Sequence, residues 1–396
     1  MRARGRLAFA AAAVLALALI GSALAANSGR SAKAPIIIGW AFDGSGAMAP
    51  FDGPALAAAE LQVNVVNARG GVNGRKLQLI TCDTQGNKAD VAKACALRLL
   101  SEKAAVLFVT CDVELAAPVV TTAIGRGVLA IAPCIGTDQM GPKRYGSKGR
   151  LAFSFGNLAQ DEGSAMAQYA WGRGWKTADL ATDTIIIYFR NVVQAFEARF
   201  KQLGGKIVAK ETYLSLGGNN VQNAVSRLNG EKADVIVTST AGAFGALSTL
   251  VSGLRSLGNN TPILNSWAGD GTYWLPANPK VTNYWFVTFA SSFGDDPSPA
   301  VNRLAKQVKA GTGGFITGPS AIDGLVTAIK RSKGSTKGLV LAKTMEKFRK
   351  VPTISGNVSF SRSVHTVFGR RYRVIRIQNN VPRLVGTVVA KVVPKI

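Results

Sequence analysis

The sequence predicts an α/β protein made of doubly wound parallel sheets. Two observations carry this. Strand-length apolar runs recur along the chain, at residues 36–39, 77–81, 105–111, 128–133, 177–182 and 233–240, and helix-length stretches separate them. The chain is also 396 residues long and 47% hydrophobic, enough for two cores rather than one.

The first strand runs into a glycine-rich turn, Asp43-Gly44-Ser45-Gly46, ahead of a helix over about 53–67. The turn fits neither G-x-G-x-x-G nor a Walker motif, and no lysine follows where a triphosphate needs one. Gly70-Gly71 ends the helix, Asn73-Gly74 makes a tight turn, and a strand over 77–81 closes on Asp83. In the next helix, about 89–103, Val91, Cys95 and Leu99 recur at i, i+4 and i+8 and form one buried stripe. The continuous apolar run 105–111 reads as a central parallel strand covered on both faces. Asp112-Val113-Glu114 follows it, then a helix from about 116. The run 128–133 repeats the pattern and ends in Cys134-Ile135-Gly136-Thr137-Asp138.

A second series begins with a strand over 151–155 and a helix over 161–172. Strand 177–182 leads to a helix ending at Gly204-Gly205, then to a strand from 207, a helix over 219–228 and the β-branched strand 233–240. Strand 262–264 opens into Asn265-Ser266-Trp267-Ala268-Gly269-Asp270-Gly271. Strand 284–289, helices near 297–309, 318–330 and 338–348, and a strand over 356–360 come next. Residues 371–378 and 382–387 form an antiparallel pair around Asn379-Asn380.

Residues 1–25 combine Arg2, Arg4 and Arg6, an apolar run from 7 to 20 and Ala23-Leu24-Ala25, the pattern of a secretory signal peptide. Fourteen apolar residues are short for a membrane span, and no cysteine lies near the cleavage site to carry a lipid. Export permits disulfides, and all four cysteines, Cys82, Cys95, Cys111 and Cys134, fall in one early block with three pairings open to them. No histidine is nearby, which weakens a zinc site. The formal charge is +25, but the basic residues are spread without compact runs or interleaved aromatics, a solvated surface rather than a nucleic-acid footprint. Residues 357–396 carry eight basic residues and no acid, which makes that end a positive face.

The order of these elements, and above all Asn67-Ala68-Arg69-Gly70-Gly71-Val72-Asn73-Gly74-Arg75-Lys76-Leu77, resembles the type I periplasmic solute-binding proteins of ABC transporters, the leucine/isoleucine/valine-binding group. The resemblance covers nearly all of the chain after residue 34. It implies two Rossmann-like lobes joined by a three-strand hinge, with crossings at 151–155, 284–289 and 356–360. Lobe 1 would comprise 26–150 plus 290–355, and lobe 2 would comprise 151–289 plus 356–396. In the family's sheet the strands ending at Cys111 and Cys134 are neighbours, which implies pairing Cys111 with Cys134 and Cys82 with Cys95. The competing pairing joins Cys82 to Cys111, as in the leucine-binding relative.

A ligand in such sheets lies beyond the carboxyl ends of the strands. The resemblance implies a site made of Phe51, Asp112, Val113, Cys134, Ile135, Gly136, Thr137, Tyr188, Ala243, Trp267 and Asp270. Asp112 stands where relatives place a serine that grips a ligand carboxylate. Either it turns away, as a helix N-cap, or the ligand offers it a cationic or hydroxyl group. Asp270 is the expected partner of a ligand ammonium, with Trp267 as the alternative position.

Three classes of function compete. For an enzyme, the single histidine, His365, is remote in sequence from Ser45, Ser266 and the cysteines, and neither H-E-x-x-H nor G-x-S-x-G occurs. Asp295-Asp296 reads as a solvated loop pair. A sensor would hand its closed form to a membrane receptor. The expected reading is a monomeric periplasmic binder without cofactor or metal that delivers a small molecule to an ABC-transporter permease. The ligand would be amino-acid-like, or an amide, polyamine or aromatic compound.

Overall fold

The computed structural model describes residues 33–216 and 220–396; the expected signal peptide lies outside them. The first lobe is laid down by β1 (Ile36–Phe42), α1 (Ala49–Ala68), β2 (Leu77–Asp83), α2 (Ala89–Ser101), β3 (Val106–Phe108), α3 (Val113–Gly125), β4 (Leu129–Ala132), the short α4 (Pro142–Tyr145) and β5 (Ala152–Asn157). The second follows with α5 (Ala159–Gly172), β6 (Thr177–Asp183), α6 (Ile187–Gln202), β7 (Lys206–Tyr213), α7 (Asn220–Gly230), β8 (Val235–Ser239), α8 (Ala246–Ser256), β9 (Ile263–Asn265) and β10 (Tyr284–Thr288). Helices α9 (Pro299–Gln307), α10 (Thr317–Arg331) and α11 (Gly338–Met345) lead to β11 (Val351–Thr353), β12 (Gly356–Val358), β13 (Thr366–Val367), β14 (Tyr372–Gln378) and β15 (Val381–Val388).

One sheet has the order β13-β5-β4-β3-β1-β2 and is parallel throughout. The other, β15-β14-β10-β9-β8-β6-β7, is parallel except at β14 and β15. Covered on both faces by helices, β3 and β4 are fully buried, as continuous apolar runs require.

The stretch from Asn67 to Leu77 shows why its residues are what they are. The Asn67 side chain donates to the Leu77 carbonyl (2.8 Å) and accepts from the Leu77 N–H (2.7 Å), stitching the helix end to the strand start. Gly71 has φ +78°, and a Cβ there would lie 2.1 Å from the Arg75 carbonyl oxygen, so only glycine fits. Arg75 donates to the Ala34 and Pro35 carbonyls, anchoring the chain entering β1.

The chain leaves the first sheet after β5, returns to the first core at α10 and crosses again from β13 to β14. The last crossing is not at 356–360. Gly356–Val358 pairs antiparallel with Val351–Thr353, and Val358 and Phe360 are buried in the first core, so the passage falls ten residues later. A short apolar segment reads the same as hairpin or crossing strand, since only its long-range partner differs. The turn at Asn379-Asn380 has φ 53° and 62°, the left-handed pair a tight hairpin needs.

Asp295-Asp296 is also not a solvated pair. Asp296 is buried and takes a forked ion pair from Arg373 on β14, at 2.9 and 3.1 Å.

Candidate ligand-binding site

The strand tips of the two sheets face each other across a cleft. On the first lobe the glycine-rich turn wraps a carboxylate of the chain itself: Asp43 accepts from the N–H groups of Ser45, Gly46 and Met48 at 2.7–3.1 Å and from the Asn87 amide at 3.0 Å. Asp52, fully buried in the first turn of α1, accepts from the N–H groups of Asp43 (2.8 Å) and Cys111 (3.0 Å), and burial pushes it up to about 7. These bonds lock α1 to the tip of β3 and aim Met48 and Phe51 into the cleft.

Beside them, Cys111 is bonded to Cys134 and Cys82 to Cys95. The alternative pairing of Cys82 with Cys111 is thereby excluded. Asp52, Cys111 and Cys134 are the one grouping of potential metal ligands among the described residues, and both sulfurs are committed to the disulfide.

Asp112 fills both roles left open by the sequence. Its Oδ1 caps α3, accepting from the Glu114 and Leu115 N–H groups at 3.0 Å, while the residue also forms part of the cleft wall. Burial, then the neighbouring Glu114, raises it to about 7.

The opposing wall comes from α6 and the turns after β8 and β9. Tyr188, Phe189, Ala241, Phe244, Trp267 and Ala268 stand opposite Phe51, Val113, Ile135, Gly136 and Thr137 around about 390 Å³ of space not filled by protein atoms, part of it open to solvent. Within it the room left for the centre of a water molecule is only about 20 Å³. Among the described residues no lysine or arginine lines it, and Asp112 is its one carboxylate.

Rings from both lobes touch. Phe51 meets Trp267 edge-on at 5.0 Å, and Trp267 stacks on Phe289 at 4.7 Å. A Cβ on Gly136 would fall 2.6 Å from the Tyr188 ring. A cross-lobe hydrogen bond runs from the Ile187 N–H to Glu114 (3.3 Å), and the Thr312 hydroxyl donates to the Pro50 carbonyl (3.1 Å).

A profile of the family described as periplasmic binding protein matches residues 35–381. The chain belongs to that family. Among solved structures, this periplasmic binding protein is similar to the branched-chain amino acid transporter substrate-binding protein LivJ of Streptococcus pneumoniae in complex with isoleucine. The two share 20% identity and a TM-score of 0.75, over 90% of this chain and 99% of that one. The leucine-binding protein LivK of Thermotoga maritima gives 17%, 0.75, 89% and 99%. A solute-binding protein of Rhodopseudomonas palustris BisB5 in complex with 3,4-dihydroxybenzoic acid gives 17%, 0.72, 91% and 99%. No curated protein sequence matches the chain.

Three expected site residues of this periplasmic binding protein lie off the cavity wall. Cys134 is wholly buried behind Cys111, and Ala243 is displaced by its neighbours Ala241 and Phe244. Asp270 departs furthest. Its Oδ2 accepts from the Thr288 hydroxyl and the Gly313 N–H, both at 2.6 Å, and burial raises it to about 7. It staples the turn after β9 to β10 and to the chain entering α10 through that one oxygen and lies off the cavity wall, whereas Trp267, the alternative, lines it.

His365 is remote from the wall, stacked at 3.9 Å on Phe153 with Nδ1 2.8 Å from the Ala152 carbonyl. The sequence reading missed Glu162. Fully buried, it accepts from the Tyr188 hydroxyl (2.9 Å) and the Trp267 N–H (2.6 Å), and burial lifts it to about 8. Acids in a first helical turn ordinarily look solvated, so no local signal marks it.

Among the described residues no helix is long and apolar enough to cross a membrane.

Proposed function

We propose that this chain is the extracytoplasmic solute-binding component of an ABC transporter, capturing a small molecule between its lobes and delivering it to a membrane permease. The observation that carries the reading is the cavity itself. Rings contributed by both lobes surround it, and among the described residues that line it Asp112 is the one carboxylate and there is no lysine or arginine. Such a wall suits an apolar or aromatic body with a hydrogen-bond donor or positive group directed at Asp112. An amino acid with an apolar side chain fits this description, and so does a hydroxylated aromatic compound. Relatives crystallised with isoleucine and with 3,4-dihydroxybenzoic acid support both. A polyamine fits less well, because a second amine would find no second carboxylate.

Ligand binding to one closed form raises the melting temperature by mass action. A thermal-shift screen over amino acids, amides, polyamines and hydroxybenzoates, followed by calorimetry, should return one responding class with one site per chain. No response across the panel, together with turnover of an ester or amide, would overturn the reading.

A further inference from the structure

Helix α5 opens on two adjacent carboxylates, Asp161 and Glu162, both wholly buried and without an ion pair among the described residues. Burying carboxyl groups is costly unless donors meet them, and here each oxygen has one. Glu162 takes the Tyr188 hydroxyl at 2.9 Å and the Trp267 N–H at 2.6 Å. Asp161 takes the Gly369 N–H and the Tyr372 hydroxyl, both at 3.0 Å. The donors to Glu162 come from α6 and from the turn after β9, and they carry two of the rings that face Phe51. The donors to Asp161 come from the chain that has just left β13 and from the start of β14, the third crossing.

We propose that Glu162 is the positioning residue of the ligand cavity, holding Tyr188 and Trp267 together as one wall, and that Asp161 beside it ties this wall to the last crossing segment. Glu162 is not on the cavity surface and touches no ligand; it acts through the two rings, whose centroids are 6.4 Å apart. Removing it takes the acceptor from the Tyr188 hydroxyl proton and from a buried backbone N–H, and the wall loses its fixed shape. Glutamine fits the same place: its carbonyl accepts from the Trp267 N–H and its amide donates to the Tyr188 oxygen.

The inference rests on the cavity being the ligand site, and the test separates the two. With isoleucine, phenylalanine and 3,4-dihydroxybenzoate as probes in calorimetry, E162A should lose at least tenfold in affinity for whichever probe binds, and E162Q should stay within about threefold. E162A combined with Y188F should bind no worse than E162A alone, since both remove the same link. Without any probe, iodide quenching of Trp267, read as the difference from W267F, should rise in E162A and not in E162Q. Should E162A fail to fold, E162L and the cycle of E162Q with Y188F replace it. Wild-type affinity in E162A, additive losses in the cycle, or unchanged Trp267 quenching would overturn the proposal. Silence of all three probes on the wild type would count against the ligand reading, and the quenching would still decide the role of Glu162.

Discussion

Phe51, on the first helix of one lobe, meets Trp267 of the other edge to face, with ring centroids 5.0 Å apart. The contact joins the two lobes, so its energy helps hold them together rather than belonging to either lobe alone. Aromatic pairs of this geometry contribute about 1 kcal/mol beyond their buried area. F51A and W267A should each weaken ligand affinity about tenfold or more in calorimetry. Affinity unchanged in both would remove these rings from the site.

Gly136 sets how closely the lobes approach. A methyl group there would stand 2.6 Å from the Tyr188 ring, which is backed by Glu162 and cannot simply swing aside. G136A is expected to hold the cleft ajar. Small-angle scattering should give a larger radius of gyration in saturating ligand than for the wild type, with affinity reduced at least tenfold.

The buried carboxyls give stability a definite pH dependence. Asp52, Asp112 and Asp270 are driven up to about 7 and Glu162 to about 8, chiefly by burial. In the unfolded chain such groups release their protons near about pH 4. Folding therefore takes up protons between these limits; the contribution is complete below about pH 4 and is lost as pH rises through 7 to 8. Melting temperature should fall between pH 5 and pH 9. D270N should flatten part of that slope, because one amide oxygen can accept from both Thr288 and Gly313. A melting temperature that climbs over the same interval would contradict this account.

The two disulfides should separate in their effects. They close segments of 13 and 23 residues, worth about 3 kcal/mol each by loop entropy. Denaturant unfolding of C82S/C95S and of C111S/C134S should show similar losses. Only the second pair should also weaken ligand binding, since Cys111 is part of the cavity wall and Cys82 and Cys95 are not.

Much of the architecture was legible because its signals are local. The apolar runs at 105–111 and 128–133 mark buried parallel strands wherever they sit in a sheet, and Gly71 and Asn73-Gly74 announce a turn through backbone conformations that few other residues adopt. Phe51, Asp112, Val113, Ile135, Gly136, Thr137, Tyr188 and Trp267 fall on one cavity because strand tips converge in this topology. What failed depends on partners distant in the chain. Asp270 lies off the cavity wall because Thr288 and Gly313 hold its Oδ2, and residues 356–360 looked like a crossing strand until 351–353 paired with them. Glu162 was invisible for the same reason: its donors lie 26 and 105 positions away.

The cavity between the lobes has room for the centres of little more than one water molecule. On the proposed capture mechanism a guest would arrive while the lobes stand apart and leave when they part again. Capture rates should level off at high solute concentration at the rate of opening. The lifetime of the complex would then be governed by how often the gap reappears, a step on which a permease that prises the lobes apart could act directly.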